Sequence, residues 1–311
     1  MNEEIILKQC MGIKKEENLL LVYDRNRKKI ADSIYDKAKS MGFEARTLET
    51  PIAKENGEEP PEEVAEEMLN HDVILLITTK SLSHTKARRD ASEKGARIAS
   101  MPGITEDIIS RLDVDYKKME ERIKKIKSYF LKGKKKEKKI KVLTEKGTNL
   151  EMEIGNTRIE CDSGIYVKKG DFGNLPAGEA GILPKNTNGI FIVDATFAGI
   201  GKLDEPIKIT VKDNYAVKIE GKDAEKLLEI LNRFGKKARN IAEFAIGTNE
   251  KAEITGATLE DEKVLGTAHI ALGNNLSFGG NVDVPLHLDG VMYKPTIYVD
   301  NKLIMEKGKL K

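Results

Sequence analysis

Two of the chain's four histidines stand beside acids in otherwise apolar words: His269 in Gly266-Thr-Ala-His-Ile-Ala-Leu-Gly273, and His287 in Pro285-Leu-His-Leu-Asp289. In a strand, residues two apart point to the same face, so His287 and Asp289 would project together while Leu288 turns inward. An imidazole and a carboxylate so placed make a metal-binding pair, and the same spacing also suits an exposed polar pair. The short connection from Gly273 to Pro285 allows His269 to lie on a neighbouring strand. Two further acids have costly surroundings. Glu179 sits among small and apolar residues in Asn174-Leu-Pro-Ala-Gly-Glu-Ala-Gly-Ile-Leu-Pro184, where Pro and Gly suggest a tight backbone. Glu243 interrupts Ile241-Ala-Glu-Phe-Ala-Ile-Gly-Thr-Asn249. A carboxylate buried in such a run needs a partner or a metal, although alternation could equally turn Glu243 outward.

The elements that must position these groups change character along the chain. Up to about residue 115, apolar runs at Leu19 to Tyr23, Phe43 to Leu48, Val73 to Thr78 and Ala96 to Ser100 alternate with amphipathic segments. Ile30, Ile34, Ala38 and Met41 share a helical face, and Pro61-Glu-Glu63 opens a second helix. This is the βαβ pattern of a parallel sheet with crossover helices. Tyr116, Met119, Ile123 and Ile126 continue as a helix into Lys132-Gly-Lys-Lys-Lys-Glu-Lys-Lys139, a solvated linker without the interleaved aromatics that base stacking uses. Beyond it, strand-like runs at Leu150 to Ile154, Ile165 to Lys168, Gly189 to Thr196, Ile207 to Val211 and Ala216 to Glu220 are broken by one helix, Ala224 to Lys237. The expected organisation is an α/β domain with a parallel sheet over 1–130, a lysine-rich linker over 131–139 and an α+β, mostly antiparallel metal-binding domain over 140–311.

Composition narrows the function. In 311 residues, Lys and Arg total 53 and Asp and Glu total 51, so the formal charge is +2 and no general polyelectrolyte binding is expected. No Gly-x-Gly-x-x-Gly or Walker-type loop follows a strand of the first half, which leaves a nucleotide site without its signature. The longest apolar run, Val73 to Ile77, is far too short to span a membrane, and the start carries no basic leader. A cytoplasmic protein is expected, contacting neither nucleic acid nor membrane. Cys10 and Cys161 stand alone and read as two buried free thiols. After the Val73 to Thr78 strand, Ser81-Leu-Ser-His-Thr-Lys-Ala-Arg88 brings His84, Lys86, Arg88 and Arg89 to the sheet end where α/β proteins meet ligands; they read either as a carboxylate-facing group or as an ordinary helix start.

The words around Glu179, Glu243, His269, Phe278-Gly-Gly-Asn281 and His287-Leu-Asp289 resemble, in order, the thermophilic metallo-aminopeptidase family of the aminopeptidase T and aminopeptidase S type. The resemblance implies two divalent metal ions, zinc, cobalt or manganese, held by Glu179, Glu243, His269, His287 and Asp289. It further implies Glu179 and Glu243 in catalysis, short peptide substrates trimmed from the amino end, and a homodimer. Where the bacterial enzymes place a Tyr soon after the His-Ile-Ala-Leu-Gly word, this chain reads Asn274-Asn-Leu-Ser277. A dihydroxypyridine ring-opening enzyme looks related to the same family. That alternative implies a mononuclear non-haem iron site, for which His269, His287 and Asp289 would suffice, with Glu179 and Glu243 contacting ligands or substrate. A metal-binding module without turnover is the third reading.

Overall fold

A computed structural model describes residues 2–131 and 137–311. The chain forms two compact units, one comprising Met1–Tyr116 and Gly164–Ala177, the other Lys117–Ser163 and Gly178–Lys311. The division therefore differs from a single cut in the lysine run. The helix Tyr116–Leu131 falls almost wholly in the second unit, and a later segment belongs to the first. Residues 132–136 of the lysine run lie outside the described residues, while Lys138 and Lys139 already begin a strand.

The first unit is the expected parallel α/β layer. Strands β1 (Asn18–Tyr23), β2 (Glu44–Glu49), β3 (Val73–Ile77), β4 (Arg97–Ser100) and β7 (Phe172–Asn174) form a sheet in the order β2-β1-β3-β4-β7, with every pairing parallel. All five residues of β3 are buried, as expected of a strand covered on both faces. The helix Lys28–Ser40 buries Ile30, Ala31, Ile34 and Ala38, the face read from their spacing. The helix Lys86–Lys94 is capped by Thr85, which accepts from the Arg88 amide.

Arg97, at the start of β4, is buried and makes a two-pronged pair with Glu17, at 2.7 Å for each oxygen, while its Nε donates to the Met11 carbonyl. The Arg97 guanidinium holds the Glu17 carboxyl down at about 2. A depressed acid stabilises the fold above its unfolded value and loses that contribution as pH falls towards 2. Glu17→Gln is accordingly expected to lower the melting temperature at neutral pH by a few degrees, on the order of 1 kcal/mol, with the gap to wild type closing by about pH 2. Thermal melts across that range check it.

The second unit is built on one large antiparallel sheet. Its strands are β5 (Lys138–Leu143), β6 (Asn149–Asp162), β8 (Glu179–Val193), β9 (Thr196–Phe197), β10 (Gly201–Lys202), β11 (Ile207–Lys212), β12 (Tyr215–Glu220), β13 (Ile241–Gly247), β14 (Thr267–Gly273), β15 (His287–Tyr293), β16 (Thr296–Val299), β17 (Lys302–Glu306) and β18 (Lys309–Leu310). They run in the order β10-β9-β15-β14-β13-β8-β6-β5-β16-β17-β18, with β11 and β12 branching from β8.

Several local expectations are corrected. Ile165 to Lys168 is not a strand: its β-prone residues lie in the returning segment of the first unit, where the Tyr166 amide bonds to the Cys10 carbonyl. The helix expected to reach Lys237 stops at Asn232, because Gly235 takes a left-handed φ of 68° and a short 3-10 turn, Lys236–Arg239, follows. Cys10 is buried, its thiol 3.2 Å from the Tyr116 hydroxyl, but Cys161 is exposed on β6, and among the described residues neither forms a disulfide. Among the described residues, no helix is long and apolar enough to cross a membrane.

Candidate metal centre

Four adjacent strands each contribute to one polar patch. Glu179 opens β8, Glu243 lies in β13, His269 in β14, and His287 and Asp289 in β15. Register puts them on one face: Glu179 pairs with Gly247, Ala245 with His269, Glu243 with Ala271, and Ala271 with Asp289. Glu179 thus begins a strand, directly after Gly178 with its positive φ of 125°. The residues between these groups on the same face, Gly181, Ala245, Gly247 and Ala271, are small, which gives the longer polar side chains room to converge.

The five side chains named from the sequence come together. His269 Nε2 lies 3.4 Å from Glu179 Oε2, 3.5 Å from Glu243 Oε1 and 4.0 Å from Asp289 Oδ1. His287 Nε2 lies 3.0 Å from Glu243 Oε2 and 3.5 Å from Asp289 Oδ1. Donor atoms of Glu179, Glu243 and His269 lie within 4.8 Å of one another, as do those of Glu243, His287 and Asp289, and of Glu262, His269 and Asp289. An ion roughly 2.1 Å from each ligand needs donor separations of roughly 3 to 4 Å, so this spacing fits a divalent metal.

Hydrogen bonding points the same way. His287 Nδ1 is 2.8 Å from the Asn274 carbonyl. A carbonyl only accepts, so Nδ1 donates, and in the neutral ring Nε2 presents its lone pair to Glu243. That lone pair would suit a metal ion beside the carboxylate, whereas the imidazolium donates Nε2–H to Glu243 at 3.0 Å. Asp289 Oδ1 and Glu179 Oε2 are buried without a hydrogen-bond partner. Burial disfavours the imidazolium of His269, but Glu243 and the neighbouring acids outweigh it and push this group up to about 9. His287 is raised well above the ordinary histidine value against the same burial, by Asp289 and Glu243. Burial opposes ionisation of Glu243 too, yet the two imidazoles hold its carboxyl below the usual range. These four strands therefore present a concentration of negative charge that a metal ion would satisfy.

Two participants were not singled out from the sequence. Lys263 is fully buried, with Nζ 2.5 Å from Glu179 Oε1 and 2.6 Å from Glu262 Oε1. Burial pushes the carboxyl of Glu262 well above the usual range. Both residues follow the one-turn helix Thr258–Asp261, where strand alternation gives no guide. The available signal was the run Asp261-Glu-Lys263 set directly before an apolar strand.

A side chain at Gly181 would place its Cβ 2.7 Å from Glu243 Oε1 and 3.1 Å from the Ala245 Cβ. Glu243 is hemmed by both imidazoles, so Gly181→Ala is expected to press its carboxylate against the His269 and His287 rings and, by turning those rings, weaken metal binding about tenfold while the chain stays folded. Metal titration alongside a thermal melt checks this. The basic group of the first unit is engaged within that unit: the Arg88 guanidinium lies 4.0 Å over Phe172 and its Nε donates to the Ser83 carbonyl, Arg89 donates to the His84 carbonyl, and Lys86 pairs with Asp90.

Over residues 5–311 the sequence matches the family NicX, 2,5-dihydroxypyridine 5,6-dioxygenase. The chain belongs to this family. The fold agrees: a solved 2,5-dihydroxypyridine dioxygenase from Pseudomonas putida KT2440 superposes with a TM-score of 0.83 at 16% identity, covering 99% of this chain and 95% of that one. AmpT from Thermus thermophilus superposes with a TM-score of 0.68 at 14% identity, covering 99% of this chain and 97% of that one. No curated protein matches the sequence significantly. Membership of the dioxygenase family corrects the expectation of a metallo-aminopeptidase that hydrolyses peptides. The resembling words surround ligand-type residues on a two-domain scaffold that both solved proteins share, and those words specify a metal-site framework rather than the bond to be broken.

Proposed function

We propose that the chain is an iron-dependent dioxygenase that opens a small hydroxylated aromatic ring of the dihydroxypyridine type. The observation that carries this reading is the family match across residues 5–311, joined to the approach of His269 and His287 to Asp289, each from one of two paired strands. Two imidazoles and one carboxylate are the donor set of non-haem iron oxygenases, and they leave coordination positions open. Bound ferrous iron supplies the electronic partner through which dioxygen reacts with an electron-rich ring, so that both oxygen atoms enter the product without an external reductant.

The protein's residues then have separable tasks. The Asn274 carbonyl orients His287 through Nδ1 and so fixes the Nε2 that would hold the ion. Glu243, kept ionised between the imidazoles, takes the proton of a substrate hydroxyl at Oε2. Phe278 lies parallel to the His287 ring, 6.3 Å between centroids and 7° between planes, and adds an apolar wall beside the centre.

Protein loaded anaerobically with ferrous iron, mixed with 2,5-dihydroxypyridine and followed with an oxygen electrode, should consume one dioxygen per ring opened, while the zinc-loaded protein should consume none. Iron-loaded protein that takes up no oxygen with any dihydroxypyridine or catechol would overturn the reading.

A further inference from the structure

We propose that Lys263 is a positioning residue that fixes the metal number at one, its ammonium supplying from the Oε1 side of Glu179 the positive charge that a second cation would bring. The inference rests on the single-iron reading above. Once His269, His287 and Asp289 hold one ion, Glu179, Glu243 and Glu262 remain as carboxylates on the same patch. Such a remainder can recruit a second divalent ion, because Glu179 and Glu243 lie together beside His269. The Lys263 ammonium instead takes Glu179 Oε1 at 2.5 Å and Glu262 Oε1 at 2.6 Å. It is fully buried, and its backbone is pinned on both sides: the Lys263 amide donates to the Glu260 carbonyl at 2.9 Å, and the Asn249 amide donates to the Lys263 carbonyl at 2.8 Å.

The neighbouring Asp261 anchors the same turn, accepting from the amides of Thr255 at 2.8 Å and Gly256 at 2.9 Å and from the Thr196 hydroxyl. The backbone that carries the ammonium is thus fixed, and its two carboxylate contacts hold the ammonium in place. A divalent ion at Glu179 would meet a fixed positive charge on the same carboxylate, and like charges at such range in a buried site repel strongly. A lysine serves here because its single point charge bridges two carboxylates without offering a lone pair to a metal.

Manganese(II) binding tests this by equilibrium dialysis, with electron paramagnetic resonance reporting whether bound ions are coupled. Wild type should bind one ion per chain with an uncoupled spectrum. Lys263→Met should bind two, with a spin-coupled spectrum, and Lys263→Met combined with Glu179→Gln should return to one. Lys263→Arg, which keeps the charge, should stay at one. A folded Lys263→Met that still binds one ion at saturation overturns the proposal. Two ions in wild type overturn the single-ion reading itself, which separates the two failures. Lys263→Gln provides a second neutral variant; failure of both to fold even with manganese present also contradicts the proposal, because a metal could then not stand in for the ammonium.

Discussion

His287→Ala leaves a folded protein that retains less than about a tenth of its iron and loses turnover by at least about a thousandfold. His287 is one of three donors on the proposed ion, and its ring is fixed by the Asn274 carbonyl at 2.8 Å, so nothing else in the site can take its place at Nε2. The fold should tolerate the change. The residue stands at the first position of β15, partly exposed, so water can reach the Asn274 carbonyl and the Glu243 oxygen that its removal leaves without a partner. Elemental analysis, oxygen uptake and circular dichroism separate the metal effect from unfolding. Added imidazole, filling the space left by the side chain, should restore part of the iron and part of the turnover. Full iron occupancy in the variant would remove His287 from the ligand set.

Glu243→Gln has the opposite signature, with iron retained and turnover reduced about a hundredfold to ten-thousandfold. The amide keeps the size of the side chain and its packing above Gly181, but it cannot accept a proton from a substrate hydroxyl. Its carboxylate is the group held ionised by both imidazoles, so replacing it changes the proton inventory of the centre more than its shape. Single-turnover measurements on the iron-loaded variant should show substrate binding near the wild-type level and a slowed chemical step. Loss of iron together with activity would make Glu243 a ligand instead.

Much of this arrangement was legible in the sequence because strands expose their logic through alternation. Each of Glu243, His269, His287 and Asp289 is a polar residue set in an apolar strand, which marks it as facing something that compensates its burial. The parallel sheet of the first unit was equally readable, since β1 and β3 are continuous apolar runs. Lys263 and Glu262 escaped notice because they sit in a turn after a helix of one turn, where no period distinguishes a buried charge from a solvated one. Ile165 to Lys168 misled for the converse reason: its composition favours a strand, but its position in the chain assigns it to the first unit as irregular backbone. The reaction was the least legible part. A metal framework of two His and several acids serves hydrolysis and oxygenation alike, and the choice between them depends on the open coordination positions and the substrate, which short words around the ligands do not encode.

Isotope labelling tests the central claim most directly. Iron-loaded protein turning over 2,5-dihydroxypyridine under 18O2 should give a ring-opened product carrying two labelled oxygen atoms, identified by mass spectrometry. A product whose new oxygen comes only from water, formed with no dioxygen consumed, would contradict the account.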